Sequence, residues 1–257
     1  MAGGSAPGAS VVARALSILV AFDAHHRSMT LSQIAGRAGL SAPTTLRIVR
    51  QLVADGALER RESEYVIGRT IWDLGHLAPV QTDLREVASP YLQDLQAATR
   101  ATVHLAVRDG QSALYVDRLS GRSSVPVVST IGSRLPMHAT GVGKVLLAHA
   151  PEEVRSAALQ ALSRETAYTV TAPGLLARQL ARVVRDGYAT TTEEMTLGAC
   201  SVAVPVLGPE GDVAAALGIV VPTFKRDRAR LVAGLQVAAQ GIQRELARAR
   251  PPGQEAE

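Results

Sequence analysis

The sequence predicts an α+β protein with two parts. The N-terminal part is a helix-turn-helix followed by a β hairpin, and the larger part is a mainly antiparallel sheet flanked by helices. Three patterns support this prediction. Residues 30–52 have the spacing of two short helices around a glycine turn, and residues 58–68 form two short β runs around a polar tip. After residue 102, strands occur in pairs joined by tight turns, which favours antiparallel pairing.

The composition of the 257 residues limits the classes of protein to consider. Hydrophobic residues make up 47%, enough for a sizeable core, and the net charge of +4 suits a polyanionic partner. Aromatic residues make up only 3%, which argues against a stacking platform for single-stranded nucleic acid. The single cysteine, Cys200, excludes a disulfide within the chain and a multi-cysteine metal site. Residues 1–10 lack a secretory signal and no apolar run can span a bilayer, so we expect a cytoplasmic protein without membrane contact.

The first helix is expected over residues 10–24, after a disordered tail at residues 1–10. Ser10 is a suitable N-cap. Apolar residues then recur at helical spacing, namely Val11, Ala15, Ile18, Leu19 and Phe22. We expect this helix to pack on the two that follow.

Residues 31–38 and 42–54 are the two helices of the motif. Thr30 and Gln33 have the capping-box spacing, and Gly39 occupies the turn, where a positive φ is common. Ser41 is expected to cap the second helix, and Pro43 fits its first turn. Thr45, Ile48, Val49 and Leu52 share one face, which predicts an inner side.

The other face of the second helix carries Ser41, Thr44, Arg47 and Arg50. Hydroxyl and guanidinium groups suit phosphates and guanine edges in a major groove. This predicts a recognition helix over residues 42–54, with Ser41, Pro43, Thr44, Arg47 and Arg50 as DNA-binding candidates. The alternative is structural, because two helices around a glycine also occur in proteins that never contact DNA.

The hairpin at residues 58–68 is interpreted as a wing. Arg60, also a DNA-binding candidate, and Arg61 can meet the backbone of an adjacent minor groove. Glu62 and Glu64 at the tip favour a purely structural role instead. The winged helix-turn-helix domain is expected to span residues 11–69.

A short amphipathic helix over residues 70–78, ended by Pro79, contains the only tryptophan, Trp72. We interpret residues 70–81 as a linker helix. Its apolar face either pairs with a second copy of the chain or caps its own domain.

Residues 82–250 form the second domain, followed by a disordered tail at 251–257. A helix is expected at 84–99, with a possible break at Pro90. Strands are expected at 102–108, 112–118, 125–130, 188–193, 201–207 and 213–221. A loop covers 131–140, and further helices are expected at 141–150, 152–162, 175–186 and 227–248.

Catalytic and metal chemistry find little support in the sequence. Gly143 and Lys144 resemble part of a phosphate-binding loop, but Val145 stands where that motif needs Ser or Thr. His138 is interpreted as a histidine that holds its loop, and Cys200 as a buried thiol. Glu193 and Glu194 are adjacent, so on a strand they point to opposite faces and cannot act as an acid–base pair. We therefore assign no catalytic residue, metal or cofactor.

Several motifs occur together in one order. They are RALSILVAF, LSQIAGRAGLSAPTTLRIVRQLVADGAL, GSRLPMHATGVGKVLLA, TTEEMTLGACSVAVPV and AALGIVVP. With them the chain resembles the IclR family of bacterial transcriptional regulators, over residues 11–246. The resemblance implies a winged helix-turn-helix, a linker helix and a GAF-like effector-binding domain. It also implies dimers, often paired into tetramers, on palindromic double-stranded DNA operators.

The family places a small-molecule site between the His-Ala-Thr-Gly loop and the sheet. Carried over to this chain, the effector-binding residues are Val127, Leu135, Gly141, Val142, Thr191, Ala199, Ser201, Gly218 and Val220. Family members that bind small carboxylic acids are more polar at four of these positions, where this chain has Thr191, Ser201, Gly218 and Val220. We therefore expect a larger or more apolar effector, such as an aromatic compound or a metabolite with a hydrophobic tail.

These observations predict an effector-responsive, DNA-binding repressor and not an enzyme. The alternative is a metabolite-binding sensor or enzyme whose N-terminal module serves only for oligomerisation. Salt-dependent DNA affinity distinguishes the two, because phosphate contacts release counterions.

Overall fold

The computed structural model describes residues 10–23, 26–77, 82–121, 125–224 and 228–249. The predicted tails, residues 1–10 and 251–257, lie outside the described residues except for Ser10, and so does Pro79. The chain divides into two compact units, Met1–Val80 and Gln81–Glu257, which are described separately.

The N-terminal unit has four helices and three short strands in its described part. In chain order they are α1 (Val11–Val20), β1 (Ser28–Thr30), α2 (Leu31–Ala38), α3 (Ala42–Ala54), β2 (Leu58–Arg61), β3 (Glu64–Ile67) and α4 (Arg69–Leu77). The core between the first three helices and the strands centres on Ile18, Met29, Ile34, Val49 and Leu58. This is a helix-turn-helix with a following hairpin, as the sequence predicts.

The turn chemistry around α2 agrees with the sequence. The Thr30 hydroxyl accepts a hydrogen bond from the Gln33 backbone, and the Gln33 side chain accepts one from the Thr30 backbone at 2.8 Å, which completes the capping box. Gly39 has φ +65°. Ser41 occupies the N-cap position of α3, but the expectation that its side chain caps the helix is wrong. Its hydroxyl donates to Thr44 Oγ1 at 3.0 Å and makes no bond to the helix backbone.

Helix α1 differs from its prediction in length and in its apolar face. It ends at Val20, four residues early, and Ser10 caps it by accepting from the Ala13 N–H. Ile18 is buried, but Val11, which the periodicity places inward, is exposed. The reason is that α1 packs against α2 and α3 along one narrow side only, which leaves Val12, Leu16 and Val20 in solvent.

The wing has one strand more than predicted. β3 pairs with β2 and also with β1, antiparallel in both cases. The sequence does not predict β1, because three residues are too short for a pattern of alternation. Its central residue, Met29, is buried beneath the wing and ties the hairpin to the helices.

The C-terminal unit contains six strands and five helices in its described part. They are α5 (Thr82–Thr99), β4 (Thr102–Asp109), β5 (Ser112–Leu119), β6 (Arg134–Pro136), α6 (Gly141–Ala148), α7 (Glu152–Gln160), α8 (Pro173–Asp186), β7 (Ala189–Thr192), β8 (Cys200–Leu207), β9 (Val213–Val221) and α9 (Arg228–Ala249). The sheet order is β6-β5-β4-β9-β8-β7, and every described pairing is antiparallel.

The two faces of this sheet are covered by different helices. Side chains alternate along β4, so that Val103, Leu105 and Val107 belong to the core shared with α5 and α9. The opposite face belongs to the core that contains α6 and α8, and its floor beneath α6 is made of the small residues Ala106, Ala203 and Ala216. This floor lets α6 lie close to the sheet, and all eight of its residues are buried.

Three predictions for this unit are wrong. Residues 125–130 are not a strand, because Val127, Val128 and Ser129 all line the same cavity, whereas consecutive strand residues point to opposite faces. Residues 131–140 are not only a loop, since they include β6 and a 3-10 turn at Met137–Ala139. Pro90 does not break α5, which continues through it.

Candidate functional site

Helix α3 presents a polar outer face to solvent. Its inner residues Thr45, Ile48 and Val49 are buried. Arg47 and Arg50 are exposed on the opposite side, together with Ser41 and Pro43, and Thr44 is half-buried. In the described part of the chain, neither guanidinium forms a hydrogen bond or an ion pair. Both guanidinium groups on this face are therefore accessible to a large ligand.

The arginines of the wing have partners within the hairpin. Arg60 Nε donates to the Glu62 carbonyl at 3.0 Å, and Arg61 Nε lies 3.1 Å from a Glu59 carboxylate oxygen. Both arginines are exposed. Arg60 therefore keeps most of its donors for a phosphate, while Arg61 is partly neutralised.

A cavity opens between the sheet and the N-terminal end of α6. The structure brings together around it all nine residues that the sequence analysis assigns to an effector. Ten further residues line it: His104, Tyr115, Val128, Ser129, Ala139, Thr140, Met195, Thr196, Val202 and Ile219. Most of the lining is apolar.

Two glycines set the distance between α6 and the sheet. A Cβ on Gly141 would lie 2.5 Å from Ser201 Oγ, and a Cβ on Gly218 would lie 2.8 Å from Val142 Cγ1. Any larger residue at either position would push the helix away from the cavity floor. Gly218 therefore serves the packing of Val142 and does not enlarge the cavity.

Four of the polar side chains in the cavity lining form two pairs. Thr191 Oγ1 and Ser201 Oγ are 2.6 Å apart on β7 and β8. His104 Nε2 and Ser129 Oγ are 2.9 Å apart at the β4 side. The His104 ring also packs edge-on against Tyr115, with ring centroids 5.0 Å apart.

The rings of His104 and Tyr115 are both uncharged at neutral pH. Burial, with a smaller effect of the Arg118 charge, lowers the pKa of His104 from 6.5 to about 3. Burial also raises the pKa of Tyr115 to about 12, against the opposing effect of a hydrogen bond with Thr140. The β4 end of the cavity therefore offers neutral donors and acceptors.

The sequence patterns do not identify three of these cavity residues, namely His104, Tyr115 and Ser129. His104 is the only polar side chain in the middle of the buried strand β4, and such a residue is more often a core histidine than part of a site. Ser129 was assigned to a strand. The available signal was the break in apolar alternation at His104.

A buried ion pair lies next to the cavity. Lys144 Nζ contacts both Glu194 carboxylate oxygens, at 2.6 and 2.7 Å, and Gln179 Oε1 at 2.8 Å. The expectation that Glu193 and Glu194 lie on a strand is wrong, because β7 ends at Thr192 and Glu193 has φ +56°. The turn allows Glu194 to point inward to Lys144.

The remaining candidates for chemistry, His138 and Cys200, lie inside the fold. His138 is buried and its Nε2 lies 2.8 Å from the Ser163 carbonyl, which fixes the loop. Cys200 is buried. Among the described residues, no group of three His, Cys, Asp or Glu side chains can hold a metal ion. None of the described helices combines the length and apolar character needed to span a bilayer.

Two known domains match successive parts of the chain. Residues 11–62 match the IclR helix-turn-helix domain, and residues 76–244 match the C-terminal domain of the bacterial transcriptional regulator IclR. The chain belongs to the IclR family. IclR-family proteins are DNA-binding transcriptional regulators with an effector-binding C-terminal domain, and they are not enzymes.

Individual relatives are similar in sequence to this chain over most of its length. The Escherichia coli HTH-type transcriptional regulator XynR is 34% identical over 228 residues, which cover 86% of this chain and 89% of XynR. Dickeya chrysanthemi KdgR is 32% identical over 91% of this chain and 78% of its own length. An IclR homologue from Microbacterium hydrocarbonoxydans, crystallised with 4-hydroxybenzoate, is 35% identical with a TM-score of 0.88. The match covers 93% of this chain and 100% of that one.

Proposed function

We propose that this IclR-family regulator is a cytoplasmic repressor that binds a palindromic operator as a dimer or tetramer, and that an aromatic acid in the α6 cavity changes its affinity for DNA. The single observation that carries the DNA-binding role is the outer face of α3, where Arg47 and Arg50 are exposed opposite a buried side. Ser41, Pro43 and Thr44 stand at the helix start, where they meet the DNA backbone, and Arg60 adds a backbone contact from the wing.

The operator geometry follows from twofold symmetry. In a dimer, two copies of α3 enter successive major grooves about 34 Å apart. Arg47 and Arg50 are one turn apart on the same face, so that one reads a guanine edge while the other contacts a base or phosphate nearby. Palindromic half-sites follow, because each subunit reads the same sequence.

Exposed apolar side chains in the N-terminal unit support dimer formation. Leu16 on α1 is 55% exposed, with Val12 and Val20 beside it at helical spacing, and Trp72 on α4 is 60% exposed. Two separate helices of one small unit thus each present an apolar surface. A second copy of the chain is the partner that covers both by one symmetric contact.

The cavity favours an aromatic acid as effector. Apolar side chains on both sides, among them Leu135, Val142 and Val220, suit a flat ring. The Thr191–Ser201 pair lies beside Gly141 at the N-terminal end of α6. The dipole at a helix N-terminus favours a carboxylate. The Microbacterium homologue, crystallised with 4-hydroxybenzoate, provides a related protein with such a ligand.

Binding must open the cavity. Its volume of about 40 Å³ has room for about three water molecules but not for a ring. An effector therefore selects a conformation in which part of the lining has moved. A ligand with higher affinity for this conformation changes the population that binds DNA.

A footprint on the DNA upstream of the gene tests the proposal. We expect protection of a palindrome that weakens when 4-hydroxybenzoate is added, with a steep loss of affinity at higher salt. Lack of a footprint would contradict the operator role. A thermal-shift screen in which only short 2-oxo acids stabilise the protein would contradict the aromatic effector and leave the DNA-binding role intact.

A further inference from the structure

The two polar ends of the effector cavity differ in chemistry. Thr191 and Ser201 lie on β7 and β8, whereas His104 lies on β4 and Ser129 in the segment beside it. β4 and β8 are separated by β9, so these two strands are about 10 Å apart. A single ring with a polar group at each end can bridge side chains that reach inward from both strands.

Several contacts hold the side chains at the β4 end in place. His104 is 3% exposed, is held by Ser129 at 2.9 Å, and packs edge-on against Tyr115. Among the described residues the imidazole has this one hydrogen bond, which occupies Nε2. Nδ1 therefore remains available for a hydrogen bond with a ligand.

The neutral imidazole determines which group it recognises. If Ser129 donates to Nε2, Nδ1 carries the proton and donates; if Nε2 donates to Ser129, Nδ1 accepts. The serine hydroxyl can rotate to serve both tautomers. A ligand hydroxyl is both donor and acceptor and fits either state, whereas a carboxylate only accepts and gains no ion pair from a neutral ring.

Two unpartnered polar atoms lie next to this end. Within the described residues, Thr102 Oγ1 and Arg118 Nε are buried without a hydrogen-bond partner. Thr102 shares the His104 face of β4 by alternation, and Arg118 is the direct cross-strand partner of His104. Neither residue lines the cavity, so the groups that a ligand meets at this end are those of His104, Ser129 and Tyr115.

We propose that His104 and Ser129 are the specificity-determining residues for a ring hydroxyl on the effector, at the opposite end from its carboxylate. This inference rests on the aromatic acid of the proposed function. It assigns selectivity to two residues outside the set that family resemblance places around the ligand.

Calorimetric titration of the full chain with 4-hydroxybenzoate and with benzoate tests this assignment. We expect the wild type to bind 4-hydroxybenzoate up to about tenfold more tightly than benzoate, the value of one well-placed hydrogen bond. His104→Phe should remove the preference and still bind benzoate. Ser129→Ala, a smaller change, should reduce the preference several-fold. Melting temperatures establish that each variant is folded.

Thr191→Val is the matched control at the other end. It should weaken both ligands by the same factor and leave their ratio unchanged. Equal wild-type affinity for the two ligands, or a full preference retained in His104→Phe and Ser129→Ala, would overturn the inference while the aromatic effector stands. If the wild type binds neither ligand, the aromatic effector is wrong and the inference fails with it.

Discussion

Lys144 Nζ lies 2.6 and 2.7 Å from the two carboxylate oxygens of Glu194, with both side chains almost fully buried and 50 positions apart in the sequence. Lys144 belongs to α6, whose first residues line the cavity. Glu194 begins the segment that supplies Met195, Thr196 and Ala199 to the same cavity. The ion pair therefore joins two walls of the cavity.

Breaking this ion pair should be costly. Burial lowers the pKa of Lys144, and Glu194 opposes that effect. Lys144→Met leaves Glu194 buried without its cation, so we expect a loss of about 3–5 kcal/mol in the free energy of unfolding, measured in urea. We also expect faster hydrogen exchange in residues 193–199.

The exposed pair of Arg134 and Asp109, 2.6 Å apart, offers a matched control for that experiment. Arg134→Met should cost less than about 1 kcal/mol because solvent screens the charges. The double variant Lys144→Met/Glu194→Leu should recover part of the lost stability. An unchanged urea midpoint in Lys144→Met would show that the pair does not hold the segment.

Arg47→Ala should weaken specific operator binding by about 1–3 kcal/mol, because a bidentate contact with a guanine edge is lost. Gel-shift titration on the upstream DNA measures the effect. Arg178, an exposed arginine on α8, provides the control, and Arg178→Ala should bind like the wild type. Undiminished binding by Arg47→Ala would remove this residue from the recognition surface.

His104 should make stability depend on pH. The unfolded chain protonates this residue near pH 6.5 and the folded chain only near 3, so the unfolded state binds more protons between these values. The contribution of the neutral imidazole to the free energy of unfolding is complete above pH 6.5. It is lost as the pH falls toward 3, by at most about 1.4 kcal/mol per pH unit. Urea midpoints from pH 7 to 5 measure this slope.

His104→Gln should flatten that slope by the equivalent of one proton, since glutamine does not titrate. His149→Gln, at an exposed histidine of the same unit, is the matched substitution. Equal slopes in wild type and His104→Gln would mean that the imidazole is not held neutral.

Leu16→Asp should disrupt dimers of the DNA-binding units, because a charge is placed in the apolar surface proposed to be shared by two copies. We expect the footprint to shrink from a full palindrome to a half-site or to disappear. Val184→Asp, at an exposed position on α8, is the control and should keep the full footprint. A full footprint with Leu16→Asp would favour the alternative in which these helices only cap their own unit.

Local rules predicted some elements well and others poorly. The capping box of Thr30 and Gln33 involves residues three apart, so the sequence contains all its information. β1 is too short for any pattern, and residues 125–130 mimic a strand because apolar residues there serve a cavity. The Lys144–Glu194 pair depends on a fold that brings two distant segments together, which no local pattern reveals.

Part of the candidate site was predicted, but local sequence rules were not the basis of that prediction. The nine cavity residues came from family resemblance, and the structure brings them together. His104 and Ser129 escaped because a histidine within an apolar strand and a serine within a supposed strand have ordinary structural explanations. Only the cavity that they share sets them apart.

The close fit of α6 over Ala106, Ala203 and Ala216 limits how this regulator can acquire new chemical preferences. A helix without solvent-facing side chains cannot shift to admit a bulkier compound unless the sheet moves with it. Substitutions that broaden ligand choice, in natural drift or in biosensor engineering, should therefore accumulate at Val127, Val128 and Met195. Gly141 and Gly218 should stay unchanged.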